Sequence, residues 1–145
     1  MTGLDLIKKS EGLRLNAYMC PAGIPSIGYG HTKGVKLGQS ISAVEADKLL
    51  LQDYKEAEQE VKNLVKVPIN ENQLGALTSF VFNLGASRLM GSTLLRKLNS
   101  GDYIGAAREF EKWIFARDPI SGVRVVLNGL ERRRKAERDL FERKV

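Results

Sequence analysis

The chain has 145 residues, 43% of them hydrophobic and 28% charged, with a net charge of +6 and a single cysteine. This length suits one core and is short for two ordinary domains, the composition excludes a disordered chain, and one cysteine excludes an internal disulfide. The excess of positive charge favours an anionic partner: nucleic acid, a membrane surface or an acidic polymer.

The N-terminal segment MTGLDLIKKSEG carries Asp5, Lys8 and Lys9 and lacks the apolar run of a signal peptide or a membrane span. Thr2 caps a first helix, with Asp5 three residues on completing a capping box and Leu4 and Ile7 sharing its inner face. That helix stops near Gly12. From Tyr18 to about Lys36 the glycines recur at 23, 28, 30 and 34 with Pro21 and Pro25, helical periodicity is lost, and turns with short strands are predicted. Ser42 and Glu45 form a second capping box, and Ala46, Leu49, Leu50, Tyr54, Ala57, Val61 and Leu64 follow at three- and four-residue steps, a long amphipathic helix. Asn70 and Gln73 repeat the signature ahead of Leu74, Leu77, Val81 and Leu84, the expected central helix. Shorter helices are predicted over Ser92 to Asn99 and Tyr103 to Trp113, divided by NSGD, and a last one over about Asn128 to Arg143. The fold class is α+β and predominantly helical. One domain over 1–145 is expected, with a hairpin lobe over about 12–40 and a helical lobe over about 41–145 that includes the N-terminal helix.

The segment SEGLRLNAYMCPAGIPSIGYGHT, residues 10–32, gathers Glu11, Cys20, Ser26 and His31. Glu11 falls at the end of the first helix beside the hairpin, where an acid either points into a cleft between the two lobes or is a solvated helix terminus. Cys20 is read two ways: a small buried hydrophobe, or a polar residue ahead of the PAG turn. His31, the sole histidine, has no second histidine or acidic cluster at ligand spacing, so no metal is expected. At about 100° per residue, Leu130, Ala136, Leu140, Phe141 and Val145 cover one half of the last helix, with Arg133 and Glu137 inside that apolar arc. Arg132, Lys135, Asp139 and Arg143 face outward. Inward charges are costly unless paired, so Arg133 is expected to reach Glu11 or the cleft, the alternative being a local pair with Glu137. Arg132 is next if the register is off by one.

Residues 11–32 resemble the opening of the phage-type lysozymes, the endolysins of glycoside hydrolase family 24. In that family a glutamate is followed, after eight residues, by aspartate or cysteine, then after five more by threonine, ahead of a GxGHT-like turn. Glu11, Cys20, Ser26 and the GYGHT of residues 28–32 stand in those places. FVFNLG (80–85), STLLRKLNSGDY (92–103), Trp113 and GLERRRKAERDLF (129–141) resemble the later family blocks, in order. Ser26 departs from the usual threonine, keeping the hydroxyl and losing the methyl that restricts its rotamer.

The resemblance implies a lysozyme-like fold and hydrolysis of the β-1,4 bond between N-acetylmuramic acid and N-acetylglucosamine in peptidoglycan, with no cofactor. Glycosidic cleavage needs a proton donor at the leaving oxygen and a group that stabilises or traps an oxocarbenium-like centre. Glu11 is the only acid in the segment and takes general-acid catalysis. An ordinary glutamate, with a pKa of about 4.3, is mostly ionised at neutral pH, so this role asks the cleft to favour its protonated form. Cys20, with Ser26, stands where the family holds the attacking water. Inversion is what the resemblance favours. Retention through a covalent intermediate and intramolecular capture, as in lytic transglycosylases, remain open. Gly30, Phe82, Asn83 and Arg133 are the candidates for substrate contact, an amide at 83 suiting N-acetyl groups or capping the helix end. By resemblance His31 pairs with Asp53 and braces the hairpin.

The family further implies a monomeric phage lysis enzyme made in the host cytoplasm, released by a separate holin and acting on the wall from the periplasm. From Gly129 to Val145 seven Arg/Lys stand against four acids, which suggests a weak contact with the anionic outer membrane. Two other classes are compatible with charge alone: a basic non-catalytic module that binds wall or membrane, and a basic helical nucleic-acid binder. Neither requires the residues 11–32 motif.

Overall fold

The computed structural model describes residues 1–20, 23–117 and 120–145, with Arg117 described through its backbone alone. Among them, seven α-helices and two two-stranded antiparallel sheets make an α+β, mostly helical fold. None of these helices is long and apolar enough to cross a membrane.

The Thr2 capping box forms in both directions and starts α1 (Gly3–Glu11). Its buried face is Gly3, Leu6 and Ile7, an i, i+3, i+4 stripe, so Leu6 replaces the expected Leu4. The cause is tertiary. A Cβ on Gly3 would lie 2.6 Å from Gly75 Cα, so the α1 and α3 backbones touch there and fix which face turns inward. Strands β1 (Arg14–Met19) and β2 (Pro25–Gly28) form the hairpin, with Tyr18 opposite Ser26. Single bridges from Asn16 to Ser40 and from Ile27 to His31 extend this lobe toward residue 40. Pro21 and Ala22 of the expected PAG turn lie outside the described residues.

Helix α2 (Ala43–Leu64) buries Ala46, Leu50, Ala57 and Val61. Its Ser42 cap accepts from the Glu45 N–H, but the Glu45 carboxylate takes the Ser42 hydroxyl and not the Ser42 N–H, so that capping box is only half formed. Helix α3 (Glu71–Leu84) carries the complete Asn70/Gln73 box and is buried from Gly75 through Val81, packed by α1, α2 and α7 (Asn128–Glu142). Phe80 on α3 meets Phe110 and Trp113 edge-on, at centroid distances of 5.9 and 5.4 Å. Truncating such a buried ring to alanine costs about 3–5 kcal/mol.

Between α3 and α7 run the short α4 (Ala86–Met90), α5 (Thr93–Asn99) and α6 (Tyr103–Glu109), the last tightening into a 3₁₀ turn over Phe110–Lys112. Strands β3 (Phe115–Arg117) and β4 (Arg124–Val126) then pair antiparallel. Neither α4 nor this second hairpin is expected from sequence, because elements of three to five residues are too short to display a period. On α7, Leu140 and Phe141 are buried in the main core. Val145, expected in the apolar arc, lies past the helix end and is 82% exposed.

Candidate active site

Glu11 is the last residue of α1, before Gly12 ends the helix. Because α1 lies on α3 at the Gly3/Gly75 crossing, this terminus is held between the first hairpin and the helical body. One hydrogen bond and one close approach define the seat of the carboxyl. Arg133 Nη1 donates to Glu11 Oε2 at 2.6 Å. A Cβ on Gly30, whose φ is +80°, would lie 3.0 Å from Glu11 Oε1. One oxygen is therefore anchored and the other lies against a bare backbone. The Glu11 side chain is 20% exposed, against 5% for Arg133.

Glu11 borders a cavity of about 640 Å³ that is also lined by Asn83, Leu127, Arg132 and Arg133. Gly30, on its other side, borders a smaller space of about 180 Å³ with Asp53, Val81 and Phe82. The structure thus gives the two neighbours of the FVFNLG block different surroundings: Asn83 shares the cavity of Glu11, whereas Phe82 shares that of Gly30. Asn83 also borders a third cavity of about 510 Å³, with Arg88, Lys112, Trp113 and Arg124.

Ser26 is buried, and its hydroxyl donates to the Ile24 carbonyl at 3.1 Å, which leaves its oxygen lone pairs to accept. Cys20 is half-buried; its N–H donates to the Ile24 carbonyl and its own carbonyl accepts from Gly23. Tyr18, opposite Ser26, has its phenol pushed above the ordinary value by burial and then by the charge of Glu11. His31 Nδ1 is 2.8 Å from Asp53 Oδ2, and His31 Nε2 is 3.1 Å from the Lys33 carbonyl. Both ring nitrogens face acceptors, so the histidine ties the loop after β2 to α2.

Beneath Glu11 lies a charge cluster that the sequence reading only partly anticipates. Arg133 meets both of its expected partners, since its Nε is also 3.5 Å from Glu137. Arg132 is exposed at the cavity wall and makes no ion pair among the described residues. Arg134 and Glu137 are wholly buried and 2.8 Å apart, and the Ser79 hydroxyl donates to Glu137 at 2.6 Å. Burial lowers the Arg134 guanidinium to about 10, so it keeps its proton at neutral pH, and burial pushes the Glu137 carboxyl up. Arg134 and Ser79 are absent from the sequence-derived site. The helical wheel contains a signal for Arg134: at about 100° from Arg133 it falls inside the arc, between Phe141 and Val145.

The phage lysozyme family matches residues 8–137. An endolysin of Acyrthosiphon pisum secondary endosymbiont phage 1 is 46% identical over 140 residues, covering 97% of this chain and 94% of that protein. The endolysin of Salmonella phage P22 is 41% identical over 145 residues, covering 96% of this chain and 94% of that one. Among solved structures, the muramidase domain of SpmX from Asticaccaulis excentricus superposes with a TM-score of 0.90 at 40% identity, covering 98% and 95% of the two chains. An endolysin from Escherichia coli O157:H7 phage FAHEc1 does so at 0.88 and 38%, covering 97% and 90%. With an acid fixed between hairpin and helical body, and with relatives aligned over nearly their whole length, the chain belongs to the phage lysozyme family.

Proposed function

We propose that this lysozyme-type glycosidase hydrolyses the β-1,4 link between N-acetylmuramic acid and N-acetylglucosamine in bacterial peptidoglycan, with Glu11 as general acid. The observation that carries the reading is the asymmetric seat of the Glu11 carboxyl: Oε2 on Arg133 at 2.6 Å and Oε1 against Gly30. A proton on Oε1 is then aimed away from the anchor, toward a glycosidic oxygen laid between the lobes. Cys20 and Ser26, on the hairpin, hold the attacking water. Ser26 commits its hydrogen to Ile24 and so receives a hydrogen from water, which turns the water oxygen toward the sugar. On this arrangement cleavage inverts the anomeric centre. Gly30, Phe82 and Asn83 line the path of the glycan, and His31 with Asp53 braces the loop that carries Gly30.

The enzyme acts as a monomer without a cofactor, completes host lysis at the end of phage infection, and reaches the wall from the periplasm after holin release. Its net charge of +6 suits an anionic wall. Leu140 and Phe141 are engaged in the core, so contact of the 129–145 helix with the outer membrane falls to its exposed cations. A binding module without catalysis, or a nucleic-acid binder, has no use for an anchored Glu11 beside Gly30. The test is mass analysis of the products from purified peptidoglycan. Reducing muramic ends are expected; anhydro ends, lighter by one water, would assign a transglycosylase, and unchanged glycan would refute the reading.

A further inference from the structure

Asn83 is the last-turn amide of α3, and its Oδ1 accepts from Arg134 Nη2 at 2.8 Å. A guanidinium has only donors, so the atom facing it is necessarily the amide oxygen. The same Nη2 donates to Glu137 Oε2 at 3.1 Å, and Arg134 Nε lies 2.8 Å from Glu137 Oε1. Arg134 also stands over the Phe80 ring at 5.3 Å. Arg134 and Glu137 are both wholly buried, and Nη2 is the guanidinium nitrogen that makes the hydrogen bonds, Nη1 having none among the described residues. Asn83 Nδ2 has no hydrogen-bond partner among the described residues, and Asn83 lines both the cavity of Glu11 and Arg133 and the cavity of Trp113 and Arg124.

The geometry points to Arg134 as a positioning residue. Held by Glu137, it turns the Asn83 amide so that only N–H donors face the glycan path, and position 83 thereby selects an amide carbonyl on the substrate. This rests on the reading of the cleft as a glycan site. Two groups on peptidoglycan present that chemistry, the N-acetyl carbonyl of the sugars and the carbonyls of the stem peptide. An unanchored asparagine would offer either face. The anchored one rejects a donor and accepts an acceptor.

The test is steady-state kinetics on soluble peptidoglycan strands and on the same strands freed of peptide, with Asn83→Asp, Asn83→Ala, Arg134→Met and the Asn83→Ala/Arg134→Met double variant. Asn83→Asp keeps an oxygen on Arg134 and turns a second oxygen toward the carbonyl. It is expected to raise KM about tenfold or more, above the rise for Asn83→Ala, with kcat within about twofold of wild type. Arg134→Met is expected to raise KM in the wild-type background and to add nothing in the Asn83→Ala background. If loss of the buried guanidinium prevents folding, Arg134→Lys, which keeps the buried positive charge opposite Glu137, takes its place in the same cycle with the same expectation. An Asn83→Asp effect that persists on peptide-free strands identifies the N-acetyl group, and one that disappears identifies the stem peptide. Asn83→Asp with a wild-type KM, or an equal Arg134→Met effect in both backgrounds, would overturn the inference while leaving the glycosidase reading intact. A wild-type protein that cleaves neither strand would overturn both.

Discussion

Gly30→Ala separates the chemistry of the cleft from the strain of its backbone. Gly30 has φ +80°, and an added Cβ would lie 3.0 Å from Glu11 Oε1 and 3.2 Å from its Cδ. Gly34, in the same lobe, has φ +68° with nothing within 4 Å of an added Cβ. Placing alanine in the left-handed region costs about 1–2 kcal/mol at either position, which in a chain of this size lowers the melting temperature by roughly 2–8 °C. Only at position 30 must the Glu11 carboxyl also retreat, by a few tenths of an ångström, or tilt about its Arg133 anchor. A misplacement of about 1 Å costs on the order of 100-fold in rate, so a loss of about tenfold per folded molecule is expected. Thermal melts of both variants, with the release of reducing ends from purified peptidoglycan as the rate assay, give the comparison. A loss of stability in both variants, with a rate loss confined to Gly30→Ala, is expected. Equal rates in the two variants would refute the claim that Gly30 is bare to seat Glu11.

Three further outcomes follow from particular contacts. His31→Asn removes the partly buried contact with Asp53 and should destabilise by about 1–3 kcal/mol while lowering the rate per folded molecule much less; an unchanged melting temperature with abolished catalysis would reverse that assignment. Cys20→Asp should stay active and Cys20→Val should not, with Ser26→Thr neutral or beneficial and Ser26→Ala harmful; equal activity of the two Cys20 variants would return Cys20 to the role of a small hydrophobe. The buried Glu109 has its carboxyl held below the ordinary value, first by the Lys112 hydrogen bond. Its folded pKa lies below its unfolded one, so its stabilisation is full above about pH 4.3 and is lost as pH falls through the folded value. Glu109→Gln should therefore lower stability to urea at pH 7, by less than about 1 kcal/mol because Lys112 is exposed, and this deficit should shrink as pH falls through the folded value. A deficit that persists at low pH would contradict the sign.

The parts of this fold that can be read from sequence are those set by local chemistry. The caps at Thr2, Ser42 and Asn70 are side-chain-to-backbone contacts over three residues, so the sequence contains both partners side by side. The Glu11–Arg133 contact spans 122 residues and is nevertheless foreseeable, because a charge inside an apolar arc demands a partner. Arg134 occupies the same arc but sits in a run of three arginines, which reads as a solvated face. Its burial depends on Glu137, Ser79 and Phe80 arriving together. The choice of Leu6 over Leu4 is made by the Gly3/Gly75 contact, and no periodicity within α1 encodes where α3 will cross it. Phe82 and Asn83 are adjacent in sequence yet point about 100° apart on α3, which places them on different cavities. For Cys20 and Ser26 the residue types suggest a role, and the Ile24 carbonyl that engages Ser26 lies only two residues back along the chain, whereas the placing of Ser26 opposite Tyr18 follows from hairpin register.

The role proposed for Glu11 is to deliver the proton that breaks the glycosidic bond. Its most direct test is the rate of reducing-end release from purified peptidoglycan by Glu11→Gln, with folding verified by its melting curve. The amide keeps an oxygen for Arg133 Nη1, which lies 2.6 Å from Oε2 in the native site, and has no acidic proton to give. General-acid catalysis contributes about 10²- to 10⁴-fold, so a folded variant with less than about one hundredth of the wild-type rate is the expected result. A folded Glu11→Gln that retains more than about a tenth of that rate would remove Glu11 from the acid role.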